Sequence, residues 1–321
     1  MLTKNQHGQT EKNVFRSTAF GVLAMLIWAT SVAVSRSLSE QIGVFSAAGY
    51  SYFLGGTIGM ILVITKRSMR TRLRAVPIKY YMSCGLLMLI YNIAIYLAVG
   101  LSSNRQQVLG VTLLNYLWPS FILIFTVTIL QRRTRPLLFL LGIAFVLAGA
   151  YMATTHNRSI SWMSFFDEII AAPVPYMYAF IAAVSWGLYT VLNKQWFECM
   201  SFSDGYLLVP LIFFLSGALL LIISGYSEIT PAWSFRVFLE IIYQAVFVWL
   251  IAYVLWAIAA QHGSIVWLGI LSLFMPLLST LFTCLYLMVA PGIVLWLACV
   301  SIIFGAWICE RAVFDHQQQA M

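Results

Sequence analysis

The stretch VLGVTLLNYLWPSFILIFTVTIL, Val108–Leu130, carries no charge and is long enough to cross a bilayer as a helix. Its middle, LLNYLWPSF from Leu113 to Phe121, places an asparagine, a tyrosine, a tryptophan and a proline where lipid favours leucine. In lipid the hydrophobic effect does not distinguish a neighbouring helix from an acyl chain, so polar groups at mid-depth call for a partner or a cavity. Asn115 and Pro119 are four apart and Trp118 is three from Asn115, which gathers amide, ring and proline toward one side of a helix. Proline also removes a backbone donor and leaves a carbonyl about one turn earlier unpaired. The stretch predicts a helix kinked at Pro119 beside a small polar cavity.

Blocks of the same kind recur along the chain. The 321 residues are 62% hydrophobic and 9% charged, against about 25% charge in a soluble domain. Runs with no charge, or with Glu240 alone in the eighth, predict ten spans, at about 18–35, 43–65, 80–102, 108–130, 137–155, 174–193, 205–224, 237–260, 264–288 and 291–309. The alternation of a membrane barrel strand is missing, so the expected class is all-α, a polytopic membrane protein with ten transmembrane helices. The net charge of +8 is spread over loops instead of forming one stripe, which argues against a nucleic-acid partner. With the N-terminus in the cytoplasm, 14 of the 18 basic residues fall in inside segments, above all the loop holding Lys66, Arg67, Arg70, Arg72, Arg74 and Lys79. Arg36, Arg105, Arg158 and Arg236 remain outside, and the positive-inside rule predicts both termini cytoplasmic. The first helix lacks a small-residue cleavage site and is expected to be retained. Cysteines at 84, 199, 284, 299 and 309 show no paired spacing and read as buried thiols.

The chain also repeats itself. AMLIWATSVAVSR in the first span matches AAVSWGLYTVLNK in the sixth, with Trp28 and Trp186 158 positions apart and Arg36 and Lys194 at the same offset. LNYLWPSF and LSLFMPLL align through Pro119 and Pro276, 157 apart, and Gly149-Ala150-Tyr151 aligns with Gly305-Ala306-Trp307, 156 apart. Three anchors at nearly equal offsets predict two five-helix repeats. An odd number of spans per repeat makes the second copy enter the membrane from the opposite side, so the repeats are expected to be inverted, with a binding site near the midplane. The expected organisation is a cytoplasmic tail at 1–17, a first repeat at 18–155, an external linker at 156–173, a second repeat at 174–310 and a cytoplasmic tail at 311–321.

Other spans carry rings and small polar groups at helical spacing. The first offers Trp28, Ser31 and Ser35; the third Asn92 and Tyr96; the sixth Trp186, Tyr189 and Asn193; the eighth Trp249, Tyr253 and Trp256; the ninth Trp267, Ser272, Phe274 and Pro276. Aromatic belts sit at the headgroups, so rings near mid-span point to a ring-lined pocket, with bundle packing as the plainer alternative for each. All ten carboxylates fall in tails, loops or span ends, leaving no obvious mid-membrane acid to carry a proton or face a cation. Without a carboxylate pair, a histidine cluster or a nucleophile beside a base, no catalytic machinery and no cofactor are expected. Such a pocket suits a zwitterionic or neutral aromatic solute, with an ammonium over ring faces and a carboxylate at the Asn92, Asn115 or Asn193 amides. An exporter of amphiphilic cations or other metabolites, and a membrane scaffold or sensor that moves nothing, are the other readings of these residues.

VLGVTLLNYLWPSFILIF (Val108–Phe125) and FFDEIIAAPVPYMYAFIAAVSWGLYTVLNK (Phe165–Lys194), set on two five-helix halves, resemble the EamA-type branch of the drug/metabolite transporter superfamily. Within it they are similar to the YddG-like aromatic amino acid exporters, and the resemblance covers roughly residues 18–310. It implies ten helices in a bacterial inner membrane and a central cavity open alternately to cytoplasm and periplasm. It also implies export of phenylalanine, tyrosine and tryptophan. By match, Tyr116 and Trp118 in NYLWPS and Trp186 in the sixth span are the implied cavity lining; Asn115, Tyr96 and Tyr253 come from helical faces. Pro119 and Pro276 are expected to shape gates. The polar tail Met1–Arg16 departs from the family pattern. A monomer working with the bilayer and a small-molecule substrate, by facilitated diffusion, is the simplest expectation.

Overall fold

The structure is a computed structural model that describes residues 4–129, 135–155, 170–200, 204–228, 233–262, 271–272 and 274–312. Among the described residues every regular element is a helix. In the first half α1 runs Lys4–Ile42, α2 Val44–Thr65, and α3 is the short, exposed, basic Arg67–Arg74. α4 is continuous over Ile78–Gly100, with a π-helical turn at Tyr81–Gly85. The Asn-Tyr-Leu-Trp-Pro stretch divides two helices, α5 at Arg105–Asn115 and α6 at Trp118–Ile129, and α7 follows at Pro136–Thr155. In the second half α8 is Pro173–Met200, and a 3-10 turn at Asp204–Leu208 leads into α9, Val209–Ser227. α10 joins Phe235–Ile242, the π-helical Tyr243–Ile251 and Ala252–His262. α11 is Met275–Leu287 and α12 is Ile293–Ala312.

Seven of these helices are long and apolar enough to cross a membrane, counting α5 and α6 as one, and three shorter apolar helices lie at Pro136–Gly149, Met275–Leu287 and Ile293–Cys309. Residues 263–270 fall outside the described ones, so the expected ninth span is seen mainly as its second part, α11. α1 continues without a break from Lys4, so residues 4–17 are helical, and the apolar part of the helix begins at Val14. The expected linker falls largely on residues 156–169, outside the described ones.

Local chemistry starts and stops the helices. Asn104 Oδ1 accepts from Gln107 N at 2.8 Å and Ser234 Oγ from Val237 N at 3.2 Å, capping α5 and α10. Between α1 and α2 the chain turns at Gly43, whose φ of 88° is a conformation only glycine adopts without strain. Glu228, just beyond α9, accepts from Phe45 N and Ser46 N at 2.8 Å each and so closes the start of α2 across the repeats. Outward faces carry exposed apolar side chains, among them Ile61, Leu62, Leu215, Leu219 and Phe304. A belt of that kind is an aggregation hazard in water and the natural surface toward lipid.

The helices pair in equivalent sets. α1 packs on α10 and α11, while its counterpart α8 packs on α4 and α6. α2 packs on its own counterpart α9, and α7 on its counterpart α12. That arrangement is what a two-fold relation between duplicated halves requires. Glycines set the two self-pairings. A Cβ at Gly56 would collide with the Phe214 backbone and one at Gly217 with the Phe53 backbone, while Gly142 and Gly305 each lie against the other's carbonyl. In lipid, where apolar burial drives little association, such backbone-to-backbone approach supplies the packing attraction.

Candidate functional site

One cavity lies between the paired sets, with about 80 Å³ open to the centres of water molecules. Its wall brings together all six residues singled out from sequence: Tyr96, Asn115, Tyr116, Trp118, Trp186 and Tyr253. Trp28, Ser31 and Ser35 of α1, Trp249 and Trp256 of α10, and Ser272 also line it. Asn92, Tyr189, Asn193 and Phe274 do not, and Trp267 lies outside the described residues.

The backbone explains the placement. α5 ends at Asn115, the chain turns through Tyr116 and Leu117, and α6 restarts at Trp118. The predicted kink is therefore a break just before Pro119, which occupies the first turn of α6, where its missing N–H costs no intrahelical bond. Pro276 occupies the same place in α11, immediately after Met275. Breaking the span turns Asn115, Tyr116 and Trp118 onto one wall, as an unbroken helix could not.

The rings form a connected cluster. Trp28 stands edge-on to Tyr253 at 5.2 Å and to Trp186 at 6.3 Å, and tilts against Trp256 at 5.4 Å. Tyr91 lies 4.6 Å from Trp186. Behind them Tyr52 stacks on Phe213 at 5.4 Å and meets Trp249 edge-on at 4.8 Å. Most of their polar tips are held: Trp28 Nε1 donates to the Val248 carbonyl at 3.3 Å, Tyr253 Oη to Asn92 Oδ1 at 3.2 Å and Tyr52 Oη to the Asn92 carbonyl at 2.6 Å.

Two residues whose amides were expected to meet a carboxylate stand off the cavity wall and bond within the bundle. Asn92 is fully buried, its Nδ2 donating to the Met88 carbonyl at 2.7 Å, and Asn193 Oδ1 accepts from Tyr80 Oη at 3.0 Å.

Sequence reasoning missed Met25, Val32, Tyr91, Ile95, Val99 and Met275, which also line the cavity. The repeat offset could have found several of them. Tyr91 and Ile95 lie 158 positions before Trp249 and Tyr253, and Trp118 lies 157 before Met275.

At the end of the bundle where α1 finishes, charged side chains join the two halves. Arg36, only 8% exposed, donates to the Ser102 carbonyl at 2.6 Å and to Glu40 at 2.9 Å. Arg105 donates to Glu40 at 2.6 Å and to the Leu287 carbonyl at 2.8 Å. It stands just ahead of the span that begins at Gln107, and its hydrogen bond to Glu40 raises its pKa above the usual guanidinium value. Glu240, read from sequence as peripheral, is 5% exposed and accepts from Arg236 at 2.6 Å, Ser37 at 2.9 Å, Gln41 at 3.1 Å and Tyr286 at 2.7 Å. The three ion pairs found among the described residues all belong to these clusters.

The sequence profile of the EamA-like transporter family matches residues 16–155 and again 174–310, most of the chain, as a duplicated domain. The chain belongs to the EamA-like transporter family. This EamA-like protein is 27% identical over 308 residues to the aromatic amino acid exporter YddG of Escherichia coli (strain K12), covering 92% of this chain and 97% of that one. It is 25% identical to the protein of the same name from Salmonella typhimurium, over 92% of this chain and 97% of the relative. A solved crystal structure at 22% identity matches its fold with a TM-score of 0.64, over 91% of this chain and 96% of that one. The EamA-like chain is thus a multi-pass membrane transporter.

Proposed function

We propose that this transporter exports aromatic amino acids, phenylalanine, tyrosine and tryptophan, across a bacterial inner membrane through the cavity between its halves. The observation that carries the reading is the composition of the wall: five tryptophans, four tyrosines and no carboxylate among the lining residues. Rings in that number offer stacking partners and ammonium-facing π surfaces, each worth about 0.5–2 kcal/mol. The names of the YddG relatives support the same substrate class. Trp118, Tyr116, Trp186, Asn115, Tyr96 and Tyr253 contact the solute in this reading, and the breaks at Pro119 and Pro276 are where the gates bend.

In the same reading ten spans form two inverted five-helix repeats, at 18–155 and 174–310, with both termini cytoplasmic. The Arg36, Arg105 and Arg236 clusters then close the outer end. Three of the four arginines that the positive-inside pattern leaves outside are thereby paired with glutamate. Alternating access opens these ties as the inner end shuts. The protein works as a monomer.

The test is flux of labelled phenylalanine, tryptophan, lysine and a quaternary ammonium into proteoliposomes with no proton gradient. Saturable movement of the two aromatic amino acids, with lysine excluded, is expected. Movement of the quaternary ammonium alone would assign the cavity to cations, and no movement of any solute would leave the rings as packing.

A further inference from the structure

Not every polar tip on the cavity wall has a partner. Tyr96 Oη, Trp249 Nε1 and Asn115 Oδ1 are buried without a hydrogen bond, and all three residues line the cavity. Leaving a buried polar group unpaired is costly, and on a cavity wall a bound solute can supply the missing partner. Their neighbours sharpen the contrast: Tyr253, Trp28, Ser31 and Ser35 on the same wall are each engaged, Ser35 by the fully buried Gln244 at 2.9 Å.

The chemistry of the three differs. An indole N–H only donates, a phenol can donate, and an amide oxygen only accepts. Tyr96 and Trp249 belong together, since both rings pack edge-on against Tyr52, at 5.6 and 4.8 Å. One comes from α4 and one from α10, so each half contributes a donor. Asn115 sits on a different element, at the end of α5, three residues before Trp118.

From this set we infer a fixed polarity for the bound solute: a carboxylate toward Tyr96 Oη and Trp249 Nε1, an ammonium toward Asn115 Oδ1, and the aromatic ring among Trp28, Trp118 and Trp186. The inference rests on the proposed aromatic amino acid reading and narrows it. A neutral aromatic compound leaves the charge-matched partners unmet, and an amphiphilic cation satisfies Asn115 alone. A zwitterion satisfies all three. Trp249, absent from the residues that the sequence marked for binding, becomes a specificity-determining residue.

The test compares three solutes that share one ring: phenylalanine, phenethylamine, which lacks the carboxylate, and 3-phenylpropionate, which lacks the ammonium. In wild-type proteoliposomes phenylalanine is expected to have a KM about tenfold or more below the other two, the effect of one charge-assisted hydrogen bond. Tyr96→Phe removes only the hydroxyl. It should raise the phenylalanine KM about five- to tenfold and leave that of phenethylamine unchanged. Asn115→Leu should raise the phenylalanine KM and leave that of 3-phenylpropionate unchanged. The Tyr96 hydroxyl has Ser35 and Ser51 as polar neighbours, so the readout that separates recognition from packing is the selectivity of the KM shift among the three solutes, which a merely structural role would not produce. Equal KM shifts for all three solutes, or none, would overturn the orientation while leaving the transporter reading intact. Absence of wild-type flux for every aromatic solute would overturn both.

Discussion

Trp118 is the ring whose removal best separates binding from packing. It is only half-buried on the cavity wall, whereas Trp186 is 8% exposed and wedged among Trp28, Tyr91 and Tyr189. Truncating Trp186 leaves a core cavity, a loss of about 3–5 kcal/mol that clouds any effect on transport. Trp118→Ala is expected to lower phenylalanine flux about tenfold, the loss of one good ring contact, while the unfolding temperature stays close to wild type. Normal flux in that variant would remove Trp118 from the site. At this scale the sequence showed which side chains are unusual for a membrane span, because polarity and aromaticity are written in the residue type. It could not show which of them are already satisfied. Asn92 and Asn193 looked as available as Asn115, and only the fold shows that they lie off the cavity wall, bonded to Met88, Tyr253 and Tyr80. Tyr91 escaped notice because it sits one residue from Asn92, on the adjoining helical face.

Helix pairs depend on glycine. α2 and α9 approach so closely that a single methyl at Gly56 would meet the Phe214 backbone, which cannot rotate away as a side chain can. Gly56→Ala is expected to lower stability by about 1–3 kcal/mol, the usual penalty of overpacking, read as a drop in unfolding temperature in detergent. Gly225→Ala, on the same α9, meets nothing within 4 Å and should be neutral or stabilising by up to about 1 kcal/mol. Equal effects at the two positions would contradict the packing account. The proline-bearing elements were legible, since proline cannot donate inside a helix, but the break lies before Pro119 instead of at it, and that offset depends on the turn at Tyr116 and Leu117. The π-helical segments in α4 and α10 were not legible, because no residue type demands them.

For the whole molecule, scarcity of charge and the even spacing of uncharged runs gave the membrane class, and offsets of 156–158 positions revealed the duplication. In the charged clusters at one end, Arg36–Glu40 and Arg236–Glu240 are i,i+4 pairs that spacing alone could show, whereas the reach of Arg105 to Glu40 and of Ser37, Gln41 and Tyr286 to Glu240 depends on how the helices pack and was hidden. The central claim is that solute passes through the cavity between the halves, reached from each side in turn. Ser31 lines that cavity and is half-buried, so it reports on access without disturbing the ring cluster. The most direct measurement is labelling of Ser31→Cys in proteoliposomes by a membrane-impermeant thiol reagent, added from either side, with the native cysteines replaced by alanine. The account predicts labelling from both sides, slowing of that labelling by phenylalanine but not by lysine, and loss of flux once position 31 is modified. Full phenylalanine flux after complete labelling would contradict it.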